Sequence, residues 1–95
     1  MISGHSFDWD DAKAQSNLAK HGVPFAYAVR VFLDPWRLEF EVSKPEEGEV
    51  RHKVVGEIER RLFTVVYAPR GGVTRIISGR RSNSSEERRY GRLHS

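Results

Sequence analysis

The chain has 95 residues, of which 38% are hydrophobic and 31% charged, with a formal net charge of +3 and no cysteine. A chain this short buries one core, so one domain over 1–95 is expected and a large two-domain enzyme is excluded. Disulfides, thiolate metal sites, nucleophilic thiols and iron–sulfur clusters are excluded too. No apolar run is long enough to span a bilayer, and Met1 to Ser6 shows no basic segment leading into an apolar one, so a cytoplasmic protein with no membrane contact is expected.

Phe7-Asp8-Trp9 reads as a short extended piece. Asp10 can cap a helix running through about Lys20, with Gly22 as the left-handed residue beyond its end. Pro24 suits the first position of a second helix, where Phe25, Ala28, Val29 and Phe32 follow the i, i+3, i+4, i+7 spacing until Asp34-Pro35 stops it. Trp36, Leu38, Phe40 and Val42 then alternate with Arg37, Glu39 and Glu41, the period-two pattern of a strand with one buried face. Lys44 to Gly48 is a turn, Val50 to Ile58 a second strand, and the chain reverses near Arg60. Leu62 to Tyr67 is apolar on both faces, as in a central strand. Pro69-Arg70-Gly71-Gly72 turns into a fourth strand, Val73 to Arg80. Ser84-Ser85-Glu86-Glu87 has the capping-box form Ser-x-x-Glu, so a short last helix starts there and runs through Tyr90. The order predicts an α+β fold: two N-terminal helices, a four-stranded antiparallel sheet and a short C-terminal helix.

Charge is uneven along this order. Residues 1–48 hold five Lys/Arg against eight Asp/Glu, whereas residues 49–95 hold eleven against five. From Arg70 onward the basic residues are all arginine, opposed by Glu86 and Glu87, which makes the C-terminal third a candidate phosphate-binding surface or else a solvated basic face.

Five pieces of the sequence together resemble the BrnT toxin family. They are Phe7-x-Trp9-Asp10, Lys20-His21-Gly22-Val23-x-Phe25, Val31-Phe32-x-Asp34-Pro35, Arg75-Ile76-Ile77-Ser78-Gly79-Arg80 and Glu86-x-Arg88-x-Tyr90, in order from 7 to 90. Gly79 stands where the family more often has Ala. The resemblance implies a RelE-like fold, RNA cleavage that blocks translation, and neutralisation by a BrnA-like antitoxin, through which alone operator DNA would be reached.

Metal-free RNA cleavage by the 2′-hydroxyl needs a proton acceptor, a proton donor and cations at the phosphate. The catalytic candidates are Arg51, Arg80, Tyr90 and His21. Arg80, at a strand end, either acts on the phosphate or pairs with Glu86 or Glu87. Arg51, at a position where the family has Arg, either lies beside Arg75 or Arg80 or pairs with Glu49. Tyr90 can donate a proton, stack on a base or dock its helix; His21 can transfer protons or complement the helix dipole. Arg75 and Arg80, five apart, fall on opposite faces of a regular strand and so do not share a site. Lys13, Lys20, Arg75, Arg81 and Arg88 are candidates for holding RNA; Lys13, Asn17 and Lys20 form a polar helical stripe that is otherwise a solvent face. His5, His21, His52 and His94 lack ligand spacing, so no metal is expected, and no phosphate-loop motif implies a nucleotide cofactor. The alternatives to a ribonuclease are a non-catalytic nucleic-acid-binding module and a protein-interaction domain.

Overall fold

A central strand flanked on both sides organises the chain, and it is the segment whose sequence is apolar on both faces. The computed structural model describes residues 6–94. Its sheet runs β1-β5-β4-β3-β2, with β1 at Phe7–Asp8, β2 at Leu38–Glu41, β3 at His52–Ile58, β4 at Arg61–Arg70 and β5 at Val73–Arg81. Strands β2 to β5 are antiparallel neighbours as expected. The short piece at Phe7 is a fifth strand, parallel to β5, so the sheet is mixed rather than four-stranded antiparallel. Two residues carry no readable period; what fixes them is tertiary, the Thr74 N–H donating to the Ser6 carbonyl at 2.8 Å and Arg75 pairing with Asp8 at 3.2 Å.

Helix α1 spans Asp11–His21. Asp10 caps it by accepting from the Lys13 N–H at 2.9 Å, and Gly22, at φ 71°, closes it with its N–H on the Leu18 carbonyl. The second helix is shorter than its periodicity suggests: α2 is one turn, Phe25–Ala28, continued as a 3-10 segment over Val29–Leu33. The β-branched Val29 and Val31 crowd an α turn. The tighter winding puts Val29, Val31 and Phe32 all into the core. Gly56 admits this segment, because a Cβ there would lie 2.9 Å from the Val31 carbonyl oxygen.

Phe25, Ala28, Val31 and Phe32 pack against Val54, Ile58, Phe63, Val65, Tyr67 and Ile76 on one face of the sheet. The alternate residues of β3 and β4 face the other way, toward α3, Ser84–His94. That helix is as long as α1 and does not stop at Tyr90. The expected strand alternation in β2 holds, with Leu38 and Phe40 half-buried on the α3 side, but Trp36 stays 64% exposed.

Candidate active site

The capping box of α3 sits one residue earlier than its sequence form suggests. Asn83 Oδ1 accepts from the Glu86 N–H at 2.9 Å while Glu86 Oε1 accepts from the Asn83 N–H at 2.8 Å. Glu86, 6% exposed, also takes Arg80 through both guanidinium nitrogens at 2.8 and 2.9 Å, Lys53 Nζ at 3.0 Å and the Thr64 hydroxyl at 2.9 Å. Burial alone would raise this carboxyl; the hydrogen bonds from Arg80, Asn83, Lys53 and Thr64 outweigh it and hold the group down at about 2. Arg80 thus fastens α3 to the sheet.

Tyr90, one turn further along α3, donates to Asp34 Oδ2 at 2.6 Å. The same Asp34 oxygen accepts from the Glu57 N–H at 2.8 Å, and Oδ1 from the Trp36 N–H at 2.9 Å. Burial first, then the Asp34 carboxylate, pushes the phenol far above its ordinary value, which keeps its proton on this contact.

Arg51 lies at the other end of the sheet. Its guanidinium pairs with Glu47 at 2.9 Å and lies 3.8 Å from Glu49. Strand β4 separates β3 from β5, so Arg51 is not beside Arg75 or Arg80. Val55 is level with Arg80 through Thr64, and Arg51 is four residues further down, about 13 Å along the strand.

Arg75 and Arg80 do share a face, contrary to the expectation from odd spacing. The β4–β5 register shifts between Val66 and Tyr67: Ser78 pairs with Val66 and Ile76 with Tyr67, leaving Ile77 as an extra residue. The bulge restores phase, placing Arg80 opposite Thr64 and Arg75 opposite Ala68, on one side of β4. They remain at different contacts, Arg75 on Asp8 and Arg80 on Glu86.

A cleft of about 630 Å³ opens elsewhere, on the helix side of the sheet end, lined by His21, Tyr27, Glu59, Arg61, Phe63 and Arg81 among others. His21 reaches it from the last turn of α1 and is half-buried. Arg61 and Phe63, two apart on β4, share a face, and Arg81 joins them because it pairs with Phe63 in the ladder. The Arg81 guanidinium lies over the Phe63 ring at 5.6 Å. Across the cleft, the Tyr27 hydroxyl donates to Glu59 Oε1 at 2.6 Å. The remaining strand arginines, Arg70, Arg75 and Arg80, all pair with carboxylates. Among the described residues, Arg61 and Arg81 make no ion pair, so their charge is available to a ligand.

His21 also borders a smaller groove of about 200 Å³ between α1 and β5, lined by Lys13, Ser16, Asn17, Lys20 and Ser78. Lys13 and Lys20 therefore lead toward the cleft. Asn17, read as part of a polar stripe, is instead buried. Its side chain accepts from the Gly79 N–H at 3.1 Å and donates to the Gly79 and Val23 carbonyls at 2.8 and 3.1 Å. Arg88 is exposed on α3, away from this groove. His5 lies outside the described residues, and among those described no three His, Asp or Glu side chains gather as metal ligands.

Of the four catalytic candidates from sequence, His21 alone borders the cleft; Arg81 joins it there from the RNA-holding set. Tyr27, Glu59, Arg61 and Phe63 were missed. The one local sign was Glu59-Arg60, a two-residue hairpin turn with φ of 51° and 69° but without the usual glycine or asparagine.

A model of the family described as ribonuclease toxin, BrnT, of type II toxin–antitoxin system matches residues 9–86. The comparison with curated proteins gave no match.

Proposed function

We propose that this chain, which belongs to the BrnT family of ribonuclease toxins of type II toxin–antitoxin systems, cuts RNA in the cleft beside His21 and needs no metal ion to do so. The observation that carries the reading is the pair of guanidiniums without carboxylate partners, Arg61 and Arg81, in the same cleft as an imidazole. In this reading the His21 imidazole takes the proton of a ribose 2′-hydroxyl. The 2′-oxygen bonds to phosphorus, the phosphorus–O5′ bond breaks, and O5′ takes a proton from solvent at the open mouth. The products are a 2′,3′-cyclic phosphate and a free 5′-hydroxyl.

Arg81 supplies two N–H donors to the oxygens on which negative charge builds, the role a metal would otherwise fill. Arg61 adds positive potential, and Lys13 and Lys20 carry the strand toward the cleft. Arg80, Arg51, Tyr90 and Arg75 position the elements and do not touch substrate. Cutting messenger RNA stops translation in the cytoplasm. A BrnA-like antitoxin neutralises the protein by covering the cleft, and operator DNA is reached through that partner.

Single-turnover cleavage of RNA in excess EDTA tests this. Wild type should cut and leave cyclic phosphate ends, and Arg81→Ala should lose roughly 100- to 1,000-fold in rate. Cleavage that vanishes with chelator and returns with magnesium contradicts the metal-free chemistry, and intact RNA under every condition favours a binding module.

A further inference from the structure

The cleft has two halves. His21 and Arg81 lie on the α1 side; Glu59 lies in the β3–β4 turn and Arg61 directly follows it. In the turn half, a carboxylate and a guanidinium line one space without pairing with each other. Glu59 Oε1 accepts from Tyr27 and lies 3.7 Å from Arg30, while Oε2 has no partner among the described residues. Tyr27 is itself held by the Phe63 ring, edge-on at 5.6 Å, so the carboxylate is oriented from below. Glu59 and Arg60 both occupy the left-handed region, which the two-residue turn requires but which Glu and Arg side chains rarely adopt. Strain of this kind persists where the side chains it presents have a use.

We propose that this half of the cleft is a guanine-binding subsite, with the Glu59 carboxylate receiving the base's N1–H and N2–H and the Arg61 guanidinium donating to O6 and N7. Guanine is the base with two adjacent donors on one edge and two adjacent acceptors on another. Adenine, cytosine and uracil offer a carboxylate one such donor on the Watson–Crick edge. Arginine on O6 and N7 is the commonest base-specific contact of that side chain. An unpaired strand can splay a base into such a cleft, whereas a duplex cannot. The assignment rests on reading the cleft as the cleavage site, since His21 and Arg81 would hold the phosphate next to the bound base.

The test sequences the cut ends from a randomised single-stranded RNA pool and, separately, titrates the protein calorimetrically with GMP, AMP, CMP and UMP. Wild type should favour guanine at one fixed position beside the cut by roughly 10- to 100-fold. Glu59→Gln should still cut yet lower that preference roughly 10-fold, leaving the part that Arg61 supplies, and the advantage of GMP over AMP should fall by a similar factor in the same variant. His21-dependent cutting with no guanine preference, or with a preference that Glu59→Gln leaves intact, overturns the subsite and leaves the cleavage reading standing. If no His21-dependent cutting is found, the cleavage reading fails. The calorimetry then decides the subsite alone: a GMP preference that Glu59→Gln clearly lowers upholds it, and equal binding of the four nucleotides, or a GMP preference that Glu59→Gln leaves unchanged, overturns it.

Discussion

Two neighbouring arginines with opposite fates show what a single side chain contributes here. Arg80 and Arg81 follow each other on β5, so they face opposite sides of the sheet; the first meets the buried Glu86 and the second the open cleft. Arg81→Lys keeps the charge but loses the planar pair of donors, so cleavage should fall at least tenfold while RNA affinity changes little. Equal losses in rate and affinity would instead make Arg81 a simple anchor. Asn17 shows the converse, a polar residue whose work is structural. Strand β1 pairs with β5 only at Thr74 and Arg75, leaving the upper edge of β5 open, and the Asn17 carboxamide completes the Gly79 backbone there as a neighbouring strand would. Asn17→Ala leaves these buried groups unpaired and should lower stability by about 2–4 kcal/mol in denaturant unfolding. A loss below about 0.5 kcal/mol would mean that water replaces the amide readily. The sequence offered no way to tell this asparagine from Lys13 and Lys20 on the same helix, because the stripe it shares with them is defined by period alone.

Helix α3 is bound to the sheet by polar contacts more than by apolar ones, with Glu86 and Tyr90 one turn apart and Arg89 over the Phe40 ring at 4.4 Å. Leu93 remains 64% exposed. This attachment is sensitive to acid. Glu86 titrates near 4.5 when unfolded and about 2 when folded, so the folded state holds fewer protons. Its contribution, about 3 kcal/mol, is therefore complete above roughly pH 4.5 and is lost as pH falls toward 2. Glu86→Gln should remove most of that pH dependence; an unchanged acid transition would show that other carboxyls govern it. Local signals made most elements legible: Asp10 and Gly22 mark the ends of α1, and the double-sided apolar run marks β4. Three features were not legible, two of them because each depends on a partner distant in sequence. The parallel strand at Phe7 needs β5, the extra residue at Ile77 is defined only against β4, and α3 continues past Gly91 although its sequence reads as stopping at Tyr90.

Across the whole molecule, the basic excess of the C-terminal half divides into bound and unbound charge. Among the described residues, Arg51, Lys53, Arg70, Arg75 and Arg80 each meet an acid, Arg61 and Arg81 face the cleft that His21 borders, and Arg60, Arg88 and Arg89 are exposed outside it. Composition shows the excess but not this division, since the cleft forms where α1, the Tyr27 turn and the β3–β4 hairpin meet across long stretches of chain. If the Lys13–Lys20 groove guides RNA, raising salt from 50 to 200 mM should weaken RNA binding steeply. Lys13→Ala with Lys20→Ala should reduce that dependence by about one to two ion equivalents, and an unchanged slope would place the strand elsewhere. The location of the chemistry is decided most directly by single-turnover cleavage at saturating RNA, comparing His21→Ala with Arg51→Ala after both are shown to unfold cooperatively. The cleft as active site predicts a loss of roughly 100-fold or more for His21→Ala and a rate near wild type for Arg51→Ala. A folded His21→Ala that cuts at the wild-type rate, or an Arg51→Ala that does not cut, contradicts it.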